Sequence, residues 1–286
     1  MRYELTDRAT IEYLLNEQGF HFSKNLGQNF IIDPEVCPRI ALESGISKDC
    51  GVIEIGPGIG VLTAQLCELA GKVVSIEVDK KLLPVLDKTL ADFDNSKIIY
   101  GDVLKTDLDK LIDEEFGEGR VCVCANLPYY ITTPIIMRLL TATKKIDSIT
   151  VMVQKEAADR LCAEVGSRNS GAITAAVNYY SETEKLFDVG KGSFYPSPKV
   201  DSSVIRLNLR KEPPVKVSDE KLFFSVIKAA FGQRRKTALN SLSSGLGMPK
   251  SDIASALTKC GFEPTVRAET MTLEDFAALT ETLSAK

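Results

Sequence analysis

Apolar residues along the chain change their spacing several times, and each change marks an element. Over residues 7–18, Ile11, Leu14 and Leu15 recur at helical intervals, so a short amphipathic helix is expected. A loop over 23–30 and a helix over 34–43 follow. From residue 52, short apolar runs alternate with helix-period segments. The runs predict strands at 52–55, 72–77, 97–100, 120–125 and 148–153, and the segments between and after them predict helices at 61–69, 80–90, 134–140 and 156–161. Such alternation predicts an α/β fold, βαβ units around a mostly parallel sheet. Residues 172–180, 184–189 and 203–209 lack helical spacers and read as antiparallel strands. The run Lys211-Glu212-Pro213-Pro214 forbids regular structure. Beyond it, 222–230, 237–242, 251–260 and 273–283 all show helical spacing. Thr272 is expected to cap the last helix, with Asp275 at the capping-box position. Two domains follow from this pattern, an α/β domain over 1–210 and a small helical domain over 211–286.

Composition narrows the picture. The 286 residues are 44% hydrophobic and 26% charged, enough apolar material for a sizeable core, which excludes a disordered, coiled-coil or collagen-like chain. No apolar run reaches the roughly 18 residues that a membrane span needs. The first twenty residues carry Glu4, Asp7, Glu12 and Glu17, so no signal peptide is expected and the chain reads as cytoplasmic. Seven cysteines without a Cys-x-x-Cys spacing argue against disulfides and zinc, and the single histidine, His21, argues against a multi-histidine metal site. Residues 211–286 carry 11 Lys and Arg against 9 Asp and Glu, so the net −4 of the chain divides into +2 there and −6 before it. The balance excludes a uniformly basic nucleic-acid binder and leaves room for a local patch.

Candidate chemistry begins where the strand at 52–55 runs into Gly56-Pro57-Gly58-Ile59-Gly60 and a helix. Glycines let the chain turn sharply and let a ligand lie against the backbone. The spacing departs from the dinucleotide pattern Gly-x-Gly-x-x-Gly, because Val61 stands where the third glycine belongs, and Pro57 removes an N–H that a pyrophosphate would use. A nucleoside ligand without a pyrophosphate fits better. Glu77 ends the next strand, 21 residues after Gly56, the offset at which an acid reaches ribose hydroxyls. Asp102 follows the third strand, where a carboxylate can accept from an adenine amine. All lie at the carboxyl ends of parallel strands, where open α/β sheets bind ligands.

The strand at 120–125 ends in Asn126-Leu127-Pro128-Tyr129-Tyr130. The exocyclic amine of adenine is a poor nucleophile because its lone pair is delocalised into the ring. Acceptors placed on its hydrogens favour the rehybridised form that can attack a methyl group, and the Asn126 side-chain oxygen and Leu127 carbonyl are such acceptors. Pro128 stiffens the turn, and Tyr129 offers a face on which a base can stack. A duplex hides that amine, so the base must be unstacked or come from a loop.

These residues carry a resemblance. Leu26-Gly27-Gln28-Asn29-Phe30, Glu54-Ile55-Gly56-Pro57-Gly58, Asn126-Leu127-Pro128-Tyr129 and the run from Phe194 through Pro196-Ser197-Pro198 to Ser202 resemble the ribosomal RNA adenine dimethyltransferases, S-adenosylmethionine-dependent enzymes, over residues 21 to the end. The resemblance implies a Rossmann-like methyltransferase sheet with antiparallel C-terminal strands and no metal; the N-terminal helix and cofactor loop over 1–32 are expected to belong to the same domain. It implies that Asn29 and Ile31 contact the cofactor, although the family usually has leucine where Ile31 stands. Gly56 and Gly58 then face its methionine part, Glu77 its ribose and Asp102 its adenine. Asn126 touches both cofactor and target amine, and Phe194 stacks on the base opposite Tyr129.

Two branches of the family compete, one acting on two adjacent adenines near the 3′ end of small-subunit RNA during assembly and one on large-subunit RNA in antibiotic resistance. The run from Ala230 through Gln233-Arg234-Arg235-Lys236-Thr237 to Leu242 resembles the small-subunit branch. The expected partner is small-subunit ribosomal RNA in a partly assembled particle. Arg234, Arg235 and Lys236 are three successive cations suited to RNA phosphates, and Lys24 beside the cofactor loop is a fourth candidate. A non-catalytic assembly factor would keep the basic tail without needing Asn126 and Tyr129. A nicotinamide dehydrogenase would need a pyrophosphate loop that the sequence lacks.

Overall fold

The computed structural model describes residues 3–20, 27–233 and 235–284. Helix α1 (Arg8–Glu17) starts at Asp7, whose carboxylate accepts from the Thr10 amide at 2.8 Å, and buries Ile11, Leu14 and Leu15. A two-residue strand β1 (Phe30–Ile31) leads to α2 (Val36–Glu43). Five strands then alternate with helices: β2 (Cys50–Ile55), α3 (Val61–Leu69), β3 (Lys72–Glu77), α4 (Leu83–Thr89), β4 (Ser96–Tyr100), α5 (Leu108–Glu115), β5 (Arg120–Asn126), α6 (Thr132–Ala142) and β6 (Ile146–Gln154). All five strands are parallel. After α7 (Lys155–Leu161) and α8 (Ala172–Tyr180) come β7 (Ser181–Val189), β8 (Phe194–Tyr195) and β9 (Ser202–Leu209). The main sheet runs β4-β3-β2-β5-β6-β9-β7, and β9 joins β6 antiparallel, with Gln154 opposite Ser202. Strand β8 pairs antiparallel with β1.

This order places the site. The chain winds outward from β2 through β3 to β4, then crosses back to β5 and winds the other way, so the order reverses between β2 and β5. Connections leave opposite faces there and open a crevice at the strands' carboxyl ends. The central strands are covered on both faces, which is why Val121, Cys122, Val123, Cys124 and Ala125 are all at most 1% exposed and form an unbroken apolar run instead of an alternating one.

The chain divides into two units, residues 1–158 with 184–209 and residues 159–183 with 210–286. The second differs from a single cut at residue 210. Residues 172–180, expected as a strand, form α8. The run Ala-Ile-Thr-Ala-Ala-Val-Asn-Tyr-Tyr satisfies both periods, and tertiary packing chooses helix. Ala175 and Tyr179, one turn apart, enter the apolar cluster of Phe223, Ile227, Leu242 and Phe276. The Thr174 hydroxyl, which accepts from the Gly171 amide at 3.1 Å, fixes the helix start. Helix α5 is an addition to the expected elements; its acidic sequence hides a narrow stripe of Leu108, Leu111 and Ile112. The second unit continues with α9 (Glu220–Phe231), α10 (Ala238–Leu246), α11 (Lys250–Lys259) and α12 (Leu273–Ser284). The expected capping box is formed: the Thr272 amide donates to Asp275 at 2.9 Å and the Asp275 amide to the Thr272 hydroxyl at 3.3 Å. No helix among the described residues is long and apolar enough to cross a membrane.

Candidate active site

A pocket opens at the reversal point. Its walls are the β2–α3 turn, the end of β3, the segment around β1 and the turn after β5. Asn29, Ile31, Gly56, Gly58, Glu77, Asn126, Leu127 and Tyr129 all line it, so eight of the residues singled out in the sequence meet in one place.

The turn after β2 needs its glycines. Gly56 has φ +67° and Gly58 φ +63°, backbone that side chains with a Cβ rarely adopt. A Cβ at Gly56 would meet nothing within 4 Å, so the missing side chain leaves open space beside the pocket wall, a cradle for a ligand. A Cβ at Gly58 would lie 3.3 Å from the Phe30 ring, so that glycine also admits the β1 segment.

Two acids stand beneath this turn. Glu77 is 4% exposed, and its Oε1 accepts from the Asp79 amide at 2.7 Å; burial pushes its carboxyl up to about 7. Glu54 was not singled out in the sequence, although an acid within the apolar run Val52-Ile53-Glu54-Ile55 is a signal. It is 1% exposed, also lines the pocket, and its Oε2 accepts from Thr63 at 2.6 Å and Ser75 at 2.7 Å. Burial pushes it up to about 7 against those hydrogen bonds, with Glu77 adding to the rise. Two buried carboxyls of raised pKa in one wall favour a ligand that carries positive charge and hydroxyl donors.

The turn after β5 supplies the polar rim. The Leu127 amide donates to the Met152 carbonyl at 3.1 Å and the Ile131 amide to the Pro128 carbonyl at 3.2 Å, which hold the loop down. Among the described residues the Asn126 carboxamide makes no hydrogen bond, although it lines the pocket at the end of β5. The Asn29 carboxamide instead donates to the Gly27 carbonyl at 3.1 Å. Tyr129 is half-buried, and its hydroxyl lies 2.6 Å from that of Ser202. The exposed Tyr130 ring stands over Gly27, where a Cβ would come within 3.3 Å.

Other candidates lie elsewhere. Asp102 opens the turn after β4, one strand beyond Glu77 and outside the pocket lining; its Oδ1 accepts from the Leu104 amide at 3.0 Å and its Oδ2 lies 3.7 Å from Lys105. Phe194 is not brought opposite Tyr129. It is 3% exposed, opposite Ile31 in the β1–β8 pair, and packs in the core with Val36, Val189 and Val204. The physical reason is that β8 alternates its two side chains, turning Phe194 to the core and leaving Tyr195 to bond Glu12 at 2.7 Å. In the second unit, Arg235 and Lys236 are exposed in the turn between α9 and α10. Lys24 and Arg234 lie outside the described residues.

Comparison with known proteins adds to this geometry. Residues 19–284 match the family described as Ribosomal RNA adenine dimethylase. The chain is 49% identical to a protein of Geobacillus sp. (strain WCH70) named Ribosomal RNA small subunit methyltransferase A, over 99% of both chains. It is also 49% identical to the protein of the same name from Geobacillus thermodenitrificans, over 99% of this chain and 98% of that one. Among solved structures, a dimethyladenosine transferase from Plasmodium falciparum superposes with a TM-score of 0.72 at 25% identity, covering 89% of this chain and 97% of that one. The 23S rRNA methyltransferase ErmE superposes with a TM-score of 0.67 at 26% identity, covering 89% and 99%.

Proposed function

The chain belongs to the ribosomal RNA adenine dimethylase family, and from that premise we propose that it transfers methyl groups to N6 of two adjacent adenines near the 3′ end of small-subunit ribosomal RNA. The observation that carries the reading is the Asn126 carboxamide, unpaired among the described residues, in one pocket with the Gly56 turn and Tyr129. Full-length relatives named for the small subunit, at 49% identity, favour that branch over the large-subunit one. The product is N6,N6-dimethyladenosine, and the substrate RNA is presented in a partly assembled small subunit in the cytoplasm.

S-adenosylmethionine, when bound, supplies a methyl group already activated on a cationic sulfur. The residues present fit it: Gly56 leaves a cradle, Glu54 and Glu77 offer acceptors, and Asn29, Ile31 and Gly58 close the wall. Glu77 would accept from ribose hydroxyls. Asp102, just past the end of the neighbouring strand β4, would accept from the exocyclic amine of the cofactor.

The target base would lie on Tyr129. Asn126 Oδ1 and the Leu127 carbonyl accept the two hydrogens of its amine, which draws the lone pair out of the ring and aims it into the pocket. Positioning and an acceptor set that needs no reorganisation are the main contributions of the protein. The displaced proton passes to water, and no side chain is assigned as general base. Arg235 and Lys236 in the second unit, with Arg234 and, beside the cofactor loop, Lys24 on sequence grounds, would contact RNA phosphates.

The test is to incubate the protein with labelled S-adenosylmethionine and ribosomal particles lacking the modification, then map the methylated bases. Label in two adjacent adenines of small-subunit RNA is expected. Label in large-subunit RNA, or none in either, would overturn the reading.

A further inference from the structure

The run from Phe194 to Ser203 is tied to its neighbours at several points. Phe194 pairs with Ile31, the Asp201 carboxylate accepts from the Lys191 amide at 2.9 Å, the Asp201 carbonyl accepts from the Lys155 amide at 3.0 Å, and the Ser203 hydroxyl donates to Asp188 at 2.6 Å. Ser202 does something else. It is the first residue of β9, wholly buried and opposite Gln154 at the end of β6, and its hydroxyl lies 2.6 Å from the Tyr129 hydroxyl in the loop after β5. One hydrogen bond thus spans from β9 past the neighbouring β6 to the ring on the pocket wall.

We infer that Ser202 is a positioning residue for the methyl-accepting base, acting through Tyr129. A tyrosine anchored only at its Cβ can sweep through broad χ2 space and more than one χ1 well. Anchored at both ends, at Cβ by the Pro128 turn and at the phenol oxygen by a buried serine on a sheet strand, the ring presents one plane to a flat heterocycle before that heterocycle arrives. The tether matters for rate more than for folding: a face already in place removes an ordering cost from the encounter, and small misplacements of a reacting atom are expensive. The strand supplies the rigidity. Strand β9 is hydrogen-bonded to β6 from Ser148–Asn208 through Gln154–Ser202, so the serine oxygen cannot follow the loop if the loop moves.

This inference rests on the reading of Tyr129 as the stacking face. It is tested with Ser202→Ala, which removes the tether and keeps the ring, with Tyr129→Phe, which removes the other half of the same hydrogen bond, and with the double variant. Methyl transfer to unmethylated small-subunit particles, affinity for S-adenosylmethionine by calorimetry, and fluorescence of an adenine analogue at the target position are measured. Ser202→Ala is expected to lower kcat roughly tenfold, the scale of one buried hydrogen bond, with cofactor affinity unchanged. Tyr129→Phe should match it, the double variant should be no worse than either, and the quenching of the analogue by the ring should fall in parallel. A merely structural serine would lower melting temperature and cofactor affinity together and leave the quenching of the remaining folded protein intact. Wild-type turnover in Ser202→Ala, or losses that multiply in the double variant, would overturn the inference; if Ser202→Ala does not fold, Tyr129→Phe at wild-type rate does the same. An inactive wild-type protein would instead overturn the proposed function itself.

Discussion

The Asn126 carboxamide is short, sits at the end of a rigid central strand, and among the described residues makes no hydrogen bond. Asn126→Ala should therefore fold normally and lose roughly 100-fold or more in kcat, the scale seen when one preorganised transition-state hydrogen bond is removed; rapid-quench methyl transfer is the measurement. Glu54 makes a prediction of the opposite kind. Its folded pKa of about 7 lies above the ordinary 4.5, so the neutral form suits the fold. Its contribution to stability is complete below about pH 4.5 and is lost as pH rises through 7. Relative to the wild type, Glu54→Gln should gain stability between pH 5 and 8, by up to about 3 kcal/mol, read from paired denaturant curves. A cationic ligand favours the ionised carboxylates, so cofactor affinity of the wild type should rise over the same window and rise less in the variant. Phe194→Ala, at a site 3% exposed, should cost about 3–5 kcal/mol, a core loss seen by thermal melting. Of these residues, Asn126 and Tyr129 were legible in the sequence because motif and position coincide at a strand end. Ser202 was named only within its motif, because a hydrogen bond across 73 positions leaves no local pattern.

Among the elements, the contact between α9 and α10 shows how two familiar effects compete. Gly245 lies inside α10, where Ala would ordinarily stabilise a helix by about 0.5–1 kcal/mol. Here a Cβ would come within 2.5 Å of the Ala229 Cβ and 2.8 Å of its Cα. Backbone and Cβ atoms cannot rotate away, so the helices must separate, and overpacking of that kind costs about 1–3 kcal/mol. Gly245→Ala should thus lower the melting temperature, and a raised one would mean the helices slide apart freely. The same level explains the one wrong element. Residues 172–180 are ambiguous between periods 2 and 3.6, and α8 is fixed by the cluster that Ala175 and Tyr179 share with Phe223. Strands β2, β3, β5 and β6 were legible as buried runs bounded by turn residues, and the edge strand β4, only partly buried, by its Ile98-Ile99-Tyr100 run before Gly101.

At the scale of the molecule, the candidate residues divide between the two units. The exposed Arg235 and Lys236 belong to the second unit, whereas Gly56, Glu77 and Asn126 belong to the first. Charge reversal at both cations should weaken RNA binding and reduce the salt slope by about one per lost phosphate contact, leaving cofactor affinity unchanged; filter binding across a salt series with parallel calorimetry checks it. An equal loss of both would tie the turn to folding instead. The sequence by itself determined the alternation of strands and helices, the break at Pro213-Pro214, and the residues at each strand end, since these depend on local period, turn chemistry and spacing. It could not determine that β2 and β5 are neighbours, that Phe194 turns inward, or that Ser202 meets Tyr129. Strand order and side-chain partners are set by burial shared among segments far apart in the chain, and only the packed sheet decides which of them touch.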